Sequence, residues 1–190
     1  PWHRRLLTVE DTAELQVYHD HWLRMETRRE RPDGTPEVDM NDCLKSSLRM
    51  RPDRIIVGEV RGPEAATLLT AMNTGHDGSF GSLHANTAQE TVTRMINPPM
   101  NVPPIMLTGL DLIIIQARLH VNGKTARKIT EVAEIAGMEG SKPRLNTIWK
   151  YNAATDQIEE TGIPSNLREV ICKAAGITPD VFEKHVQQRQ

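Results

Sequence analysis

Three apolar segments of the chain lead directly into side chains that can take part in catalysis. In "PDRIIVGEVRG" an apolar run is followed by Glu59 and, two residues later, by Arg61. The segment "RLLTVED" closes with Glu10 and a neighbouring aspartate, and "SFGSLHA" contains His84 near its end. Carboxylates, imidazoles and guanidinium groups hold metal ions, orient water and bind anions. Their shared position after apolar runs indicates a single site.

We expect these side chains to meet because each apolar run reads as a strand of one parallel sheet. The carboxyl ends of parallel strands lie at the same edge, and ligands collect there. His76 and Asp77, set between glycines in "TGHDGS", add a further signal. Acids beside histidines and an arginine suit a magnesium-bound polyphosphate, because carboxylates hold the metal or a water while donor groups meet phosphoryl oxygens.

Each of these residues, taken alone, also has a simpler interpretation. Glu59 is then an exposed loop charge, and Arg61 is a surface ion-pair partner. His76 is then a turn residue, and His84 is a core histidine bonded to a backbone carbonyl. Glu10 is then a helix cap. Convergence at the ends of successive strands favours the functional interpretation.

The elements that position these residues alternate between strand and helix. The predicted strands are compact apolar runs with β-branched residues, at 5–11, 53–59 and 79–85. Helices are predicted at 38–50, with Asp39 as N-cap, at 63–75, and after a capping-box pattern at 87–90. This order predicts an α/β fold with right-handed parallel crossovers.

The pattern changes after residue 97, where "NPPMNVPP" places four prolines in a stiff, extended connection. Three further strands are predicted, at 110–120, 126–138 and 144–152. Alternation in the second of these is typical of a position near a sheet edge. Two short helices are predicted after Pro164, the second beginning at Thr178 and Pro179.

Composition limits the classes of partner. The chain has 23 Lys and Arg against 25 Asp and Glu, a net charge of −2, so nucleic acid and anionic membrane surfaces are not favoured globally. The longest apolar run, "LIII", is far below the ~20 residues of a spanning helix, and no signal peptide opens the chain. Cys43 and Cys172 lack disulfide-framework or zinc-ligand spacing, which fits a reducing cytoplasm.

Three segments together resemble the secretion ATPases of type II and type IV systems: "LLTVEDTAEL", "RPDRIIVGEVRGPEA" and "TAMNTGHDGSFGSLHANTAQE". These are the hexameric motors of pili, protein secretion and the archaellum. The resemblance covers about residues 6–138 and is specific because it has three parts. The archaeal branch is nearest, since "NPPMNVPP", "LDLIIIQ" and "RKITEVAEIAG" are similar to segments of archaeal pilus and archaellum motors. It implies a partial RecA-like P-loop NTPase core over residues 1–152 and a helical tail over 153–190.

The resemblance also implies roles for the candidate residues. Glu10 is the key acid of the Asp box "TVED". Glu59 carries the function of an atypical Walker B, "IIVGE", in which Gly58 replaces the usual aspartate. Glu59 would position the attacking water or the water shell of Mg²⁺, and Glu10 would help hold the metal or water. His84 or His76 of the His box would sense the terminal phosphate of ATP, with His84 favoured for its place at a predicted strand end.

Arginines supplied across a subunit boundary are implied to offset the developing charge. Arg49 fits the second position of an "LR..LR" pattern before Walker B. The first position is Lys45, which lacks the planar fork of arginine. Arg49 and Arg61 are therefore the expected phosphate contacts.

No GxxxxGK[ST] phosphate-binding loop occurs in the chain, although the family's loop lies just upstream of the Asp box. The backbone nest and lysine that cradle the β- and γ-phosphates are missing from this sequence. We expect the chain, which begins at Pro1, to be the C-terminal part of a longer ATPase and to be inactive alone. A natural piece that has lost nucleotide binding is the alternative.

The leading hypothesis is a homo-hexameric motor that couples ATP hydrolysis to filament assembly or protein secretion. Its implied partners are a polytopic membrane platform protein and pilin or secreted-protein machinery, at the cytoplasmic face of the membrane. One alternative is a motor that moves DNA in conjugation or packaging, although the balanced charge argues against a strong DNA track. Another is a truncated module that joins hexamers without hydrolysing ATP.

Overall fold

The computed structural model describes residues 3–121 and 123–188. The described chain falls into two compact units. The first has the residues up to Ala85 together with Gln89–Leu110, and the second has Asn86–Ala88 together with the residues from Asp111 onward. Each unit is built on one four-stranded sheet.

The sheet of the first unit is parallel. Its strands are β1 (Leu6–Glu10), β2 (Trp22–Glu26), β3 (Arg54–Val57) and β4 (Phe80–Gly81), in the order β2-β1-β3-β4. The inner strands are buried apolar runs, as expected where a parallel sheet is covered on both faces. The register places Val9 beside Val57, and Val57 beside Gly81, so the carboxyl ends of β1, β3 and β4 lie at one edge.

The helices of this unit follow β2, β3 and β4 along the chain. They are α1 (Met40–Ser47), a 3₁₀ helix (Leu48–Met50), α2 (Glu64–Asn73), α3 (Ala88–Ile96), whose first residue groups with the second unit, and a second 3₁₀ helix (Pro104–Gly109). The predicted N-cap of α1 is confirmed: the Asp39 carboxylate accepts a hydrogen bond from the Asp42 backbone N–H at 2.7 Å. The Asp42 carboxylate accepts one in return from the Asp39 N–H, which completes a capping box.

The second unit has an antiparallel sheet and two helices. The strands are β5 (Leu112–Val121), β6 (Lys124–Glu139), β7 (Lys142–Asn152) and β8 (Gln157–Glu160), in the order β5-β6-β7-β8. The helices are α4 (Asn166–Ala175) and α5 (Pro179–Gln187). None of the helices within the described ranges has the length and apolar character needed to cross a membrane.

A buried carboxylate joins α4 to the sheet of this unit. Glu134 on β6 is 2% exposed. It accepts hydrogen bonds from the Ser165 hydroxyl and from the backbone N–H of Asn166, the latter at 2.8 Å. A negative charge at a helix N-terminus is favourable because the first N–H groups have no partner within the helix. Glu134 therefore fixes where α4 begins on the sheet.

The predicted α/β class, with C-terminal strands and a helical appendage, is confirmed. The third predicted strand, 79–85, is wrong in length, since β4 contains Phe80 and Gly81 alone. Ser82, the residue after β4, still contacts the segment after β3, because its carbonyl accepts a hydrogen bond from the Val60 N–H at 2.7 Å. His84 therefore lies in the following loop rather than at a strand end.

Two other strand predictions differ from the structure. β6 lies between β5 and β7, so it is next to the edge strand β5 but is not itself an edge strand. Its alternating sequence reflects two faces of different polarity, which an antiparallel sheet has at interior strands as well as at edges. β2 was not predicted, because an edge strand with the exposed residues Leu23, Arg24 and Glu26 lacks an apolar run.

Candidate functional site

The carboxyl edge of the parallel sheet carries four of the predicted site residues. Glu10 is the last residue of β1, and Glu59 and Arg61 follow β3. His84 lies in the loop after β4. Glu10, Glu59 and Arg61 line one cavity of about 610 Å³. Glu59, Arg61 and His84 line a second, smaller one of about 190 Å³.

Glu10 is buried, and its two carboxylate oxygens have different surroundings. It is 3% exposed. Its Oε1 accepts hydrogen bonds from the backbone N–H groups of Glu14 and Leu15, at 3.0 and 2.9 Å. Its Oε2 is buried and has no hydrogen-bond donor among the described residues, and the Arg24 Nε lies 3.9 Å away. A buried carboxylate oxygen without a donor is an available acceptor for water or a metal ion.

Gly58 leaves room for the Glu10 side chain beside the end of β3. A Cβ atom at this position would lie 2.9 Å from Glu10 Cγ, closer than side chains tolerate. The Gly58 N–H donates to the Val9 carbonyl at 2.9 Å, so the strand pairing holds the backbone in place. Glycine at position 58 is therefore required sterically, because any side chain there would displace Glu10.

Glu59 is held by two basic side chains. The Arg61 guanidinium donates a hydrogen bond to Glu59 Oε2 and also lies 3.6 Å from the Asp11 carboxylate. His84 Nε2 lies 3.2 Å from Glu59 Oε1. The hydrogen bond and charge of Arg61, aided by His84, lower the pKa of the Glu59 carboxyl below its ordinary value. Glu59 is therefore a charged acceptor and a weak proton acceptor while Arg61 is in place.

The turn that carries Arg61 is fixed by another buried acid. Glu64, at the start of α2, is 5% exposed. Its Oε1 accepts hydrogen bonds from the backbone N–H groups of Arg61 and Gly62, at 2.6 and 2.7 Å. Glu64 therefore sets the path of the backbone between Glu59 and α2. Sequence reasoning missed this residue, although an acid in the first turn of a helix directly after the motif is a local signal for such a contact.

The larger cavity is lined mainly by carboxylates. Its acidic residues are Glu10, Asp11, Glu14, Glu37 and Glu59, and its cationic residues are Arg29 and Arg61. This excess of negative charge suits a divalent cation and its water shell rather than a polyphosphate by itself. Within the described ranges, no group of three or more His, Cys, Asp and Glu side chains is arranged to hold a metal ion. Mg²⁺ usually keeps several waters and takes one or two carboxylates plus substrate phosphates, so the residues fit the metal side of a magnesium nucleotide.

His76 lies at the other edge of the sheet. It comes before β4, and its ring Nδ1 is 3.2 Å from the carbonyl oxygen of Ala71, near the end of α2. Ser79, which follows it, accepts a hydrogen bond from the Ile55 N–H at the start of β3. The structure does not bring His76 together with Glu59 within one chain, and its role as a phosphate contact stays a prediction.

Arg49 also lies away from the carboxyl edge. It is exposed in the 3₁₀ helix after α1. The carbonyl of the next residue, Met50, accepts a hydrogen bond from the side chain of Arg5, which directly precedes β1. Arg49 is therefore at the amino edge, and its predicted contact with phosphate requires another subunit.

Two arginines near the site were not selected from the sequence. Arg29 lines the larger cavity because it follows β2, whose carboxyl end lies at the same edge. Arg94 on α3 lines the smaller cavity with His84 and Glu59. An arginine just after a strand is the signal that would have identified Arg29, but β2 itself was not predicted.

The profile of the family described as "Type II/IV secretion system protein" matches residues 2–176. The protein MJ1287 of Methanocaldococcus jannaschii is 35% identical over 172 residues, which are 90% of this chain and 63% of that protein. The conjugal transfer protein TrbB of Rhizobium radiobacter is 38% identical over 138 residues, 70% of this chain and 39% of that protein. The chain therefore spans between two fifths and two thirds of the length of these relatives.

A solved structure has the same fold. The VirB11 ATPase from the Brucella suis type IV secretion system superposes with a TM-score of 0.57 at 29% sequence identity, over 70% of this chain and 41% of that one. The family profile covers the first unit and the second unit as far as residue 176, where α4 has ended, and α5 lies beyond it. On the strength of this match, the chain belongs to the type II/IV secretion system protein family.

Proposed function

We propose that this chain carries the hydrolytic carboxylates of a secretion-system motor ATPase whose substrate is magnesium-bound ATP. The observation that carries the proposal is the meeting of Glu10, Glu59, Arg61 and His84 at one edge of the parallel sheet. The similarity to an ATPase of a type IV secretion system supports the same reaction.

In the proposed reaction, Glu59 would orient the attacking water, and Glu10 would hold a water of the bound metal through Oε2, which has no hydrogen-bond donor among the described residues. Mg²⁺, when bound, would neutralise charge on the phosphates. His84, whose side chain is 86% exposed beside Glu59, is placed to donate to the terminal phosphate. Most of the catalysis in such a site comes from positioning and electrostatics rather than covalent chemistry.

Arg61 has a double role in this proposal. In the structure its guanidinium donates a hydrogen bond to Glu59 and lowers the pKa of that carboxyl. A phosphate group offers the guanidinium a stronger partner, with two parallel hydrogen bonds. Movement of Arg61 from Glu59 to a phosphoryl oxygen would free the carboxylate for water when the substrate is present.

We infer further that the complete protein works as a homo-hexamer. It would couple hydrolysis to filament assembly or protein secretion, at a polytopic platform protein on the cytoplasmic face of the membrane, with pilin or secreted proteins as cargo. Arg49 would then act across the subunit boundary, which agrees with its exposure and its distance in the fold from Glu59. The lysine at position 45 would leave this boundary with fewer arginines.

The test is the substitution Glu59→Gln in the full-length protein. Glutamine keeps the size of the side chain but removes the charged acceptor, so ATP turnover should fall by ~100-fold or more while the hexamer persists. A phosphate-release assay and light scattering measure the two quantities. The control is Glu139→Gln, an exposed acid at the end of β6. Unchanged turnover in the Glu59 variant would reject the assigned role.

Conjugative DNA transfer is the second candidate function, and the similarity to a conjugal transfer protein favours it. If the hexamer tracks along DNA, its affinity for DNA should fall steeply with salt, because bound phosphates release counterions. Electrophoretic mobility shifts at low and high salt separate this function from protein secretion.

A further inference from the structure

The outer end of the β5–β6 hairpin is strongly basic. It carries Arg118, Lys124, Arg127 and Lys128. We use the name cationic strip for Arg118 and Arg127, two exposed arginines that face each other across the hairpin. No acidic residue occurs between Asp111 and Glu131, although the chain as a whole has a net charge of −2. The strip is therefore a local concentration of positive charge on a slightly acidic protein.

The strip lacks the anions that would balance it. The strand register places Arg118 directly opposite Arg127, so both guanidinium groups lie on the same face of the sheet. Like charges in this position destabilise a sheet. Among the described residues, no carboxylate forms an ion pair with either arginine. By contrast Lys128, the next residue, which points to the other face, is paired with Asp156.

The face that carries the strip continues into an apolar groove. Ile129 is paired with Gln116, beside the strip, and is 45% exposed. It also lines a groove of about 820 Å³ between the sheet and the two helices of the same unit, together with Leu112, Val132, Trp149, Phe182 and Val186. The groove also contains Arg168 and Glu183, which neutralise each other in an ion pair of 2.7 Å. Strip and groove thus form one surface that is cationic at one end and apolar at the other.

We propose that this surface binds an extended acidic segment of a partner protein. Apolar side chains of the segment would fill the groove, and its carboxylates would lie on Arg118 and Arg127, where the guanidinium fork matches carboxylate geometry. A concave groove receives protruding side chains, which a flat lipid surface does not offer. Nucleic acid would match the strip but has no aliphatic side chains for the groove. The proposal rests on the second unit alone and does not depend on ATP hydrolysis.

A peptide-display selection on the immobilised 190-residue chain tests the proposal. Enriched peptides should combine apolar residues with adjacent Asp or Glu. Synthetic copies, labelled for fluorescence anisotropy, should bind the double variant Arg118→Glu/Arg127→Glu at least about tenfold more weakly, since attraction becomes repulsion. Ile129→Ser should also weaken the binding of these peptides, because it removes an apolar side chain from the groove. Lys142→Gln is the control, because Lys142 is the first residue of β7, opposite Glu139 at the end of β6 far from the strip, and its substitution should leave binding unchanged.

Several outcomes would overturn the proposal. These are enrichment of basic peptides or of none, and equal affinity of the charge-reversed variant. Two further results would assign the surface to another occupant: tighter binding of a DNA duplex or of phosphatidylglycerol vesicles than of any acidic peptide, or self-association of the chain that the double variant abolishes. The milder Arg118→Gln/Arg127→Gln variant guards against misfolding. It should keep the melting temperature of the native chain, because it removes a like-charge pair, and still bind the peptides more weakly.

Discussion

At the scale of single residues, Gly58 is the position on which the site geometry depends most directly. Its missing side chain leaves room for Glu10 Cγ, and Glu10 is anchored in turn by the backbone of Glu14 and Leu15. Since the clash involves an inner carbon of a buried side chain rather than a flexible tip, neither partner can move away easily. Gly58 thus has a packing role, because it leaves room for a buried carboxylate side chain.

We predict that Gly58→Ala destabilises the chain by about 1–3 kcal/mol, the usual range for overpacking a well-packed region. Urea unfolding measures the loss. The same change should lower ATP turnover of the full-length protein, because Glu10 is displaced.

A double-mutant cycle provides the control for this prediction. Glu10→Ala removes the clashing Cγ atom, so Gly58→Ala should have little effect on stability in that background. An equal loss of stability in both backgrounds would show that the clash with Glu10 is not the cause.

At the scale of elements, buried glutamates fix the backbone at or just before the start of a helix by accepting hydrogen bonds from backbone N–H groups. Glu134 does so for α4, and Glu64 does so for the turn before α2. The helices α4 and α5 are largely exposed. Cys172 of α4 is buried, and α5 has no buried residue. The attachment of α4 to the sheet therefore depends strongly on Glu134.

We predict that Glu134→Gln loosens α4 and α5 from the sheet. The amide retains one acceptor but loses the charge, and a hydrogen bond to a charged group contributes about 1.5–3 kcal/mol. Hydrogen exchange should speed up in residues 166–187 and stay unchanged in β3 of the first unit.

The matched control is Glu169→Gln, an exposed acid in the first turn of the same helix. Its only loss is the weak interaction with the helix dipole, about 0.3–1 kcal/mol. Equal effects of the two substitutions would mean that the buried contact of Glu134 is not what holds α4.

At the scale of the whole molecule, the proposed nucleotide site has its carboxylates in this chain, whose sequence contains no phosphate-binding loop. The larger cavity has five acidic residues against two arginines, and this charge repels a free polyphosphate. Tight binding of ATP therefore needs cations and backbone N–H groups from elsewhere.

We predict that the isolated 190 residues bind magnesium ATP more weakly than about 1 mM. Isothermal titration calorimetry measures this, with the full-length protein as the positive control. A micromolar dissociation constant for the isolated chain would contradict the prediction and show that these residues cradle the phosphates by themselves.

The sequence by itself determined the types of most elements and the edge at which Glu10 and Glu59 meet. Apolar runs and cap residues such as Asp39 are local signals, and parallel strands necessarily place their carboxyl ends together. Local signals did not predict the existence of the exposed strand β2 or the length of the short strand β4. Such strands are stabilised by pairing with neighbouring strands rather than by their own residues.

Only the tertiary structure decided which side chains touch. It separated His76 from Glu59, because α2 returns the chain to the amino edge before β4 begins. It also showed that Gly58 is needed for the approach of Glu10, and that Arg118 faces Arg127 without a balancing acid. The physical reason is that these are contacts between distant parts of the chain. Their distances depend on strand order and register, which the spacing of residues along the sequence does not contain.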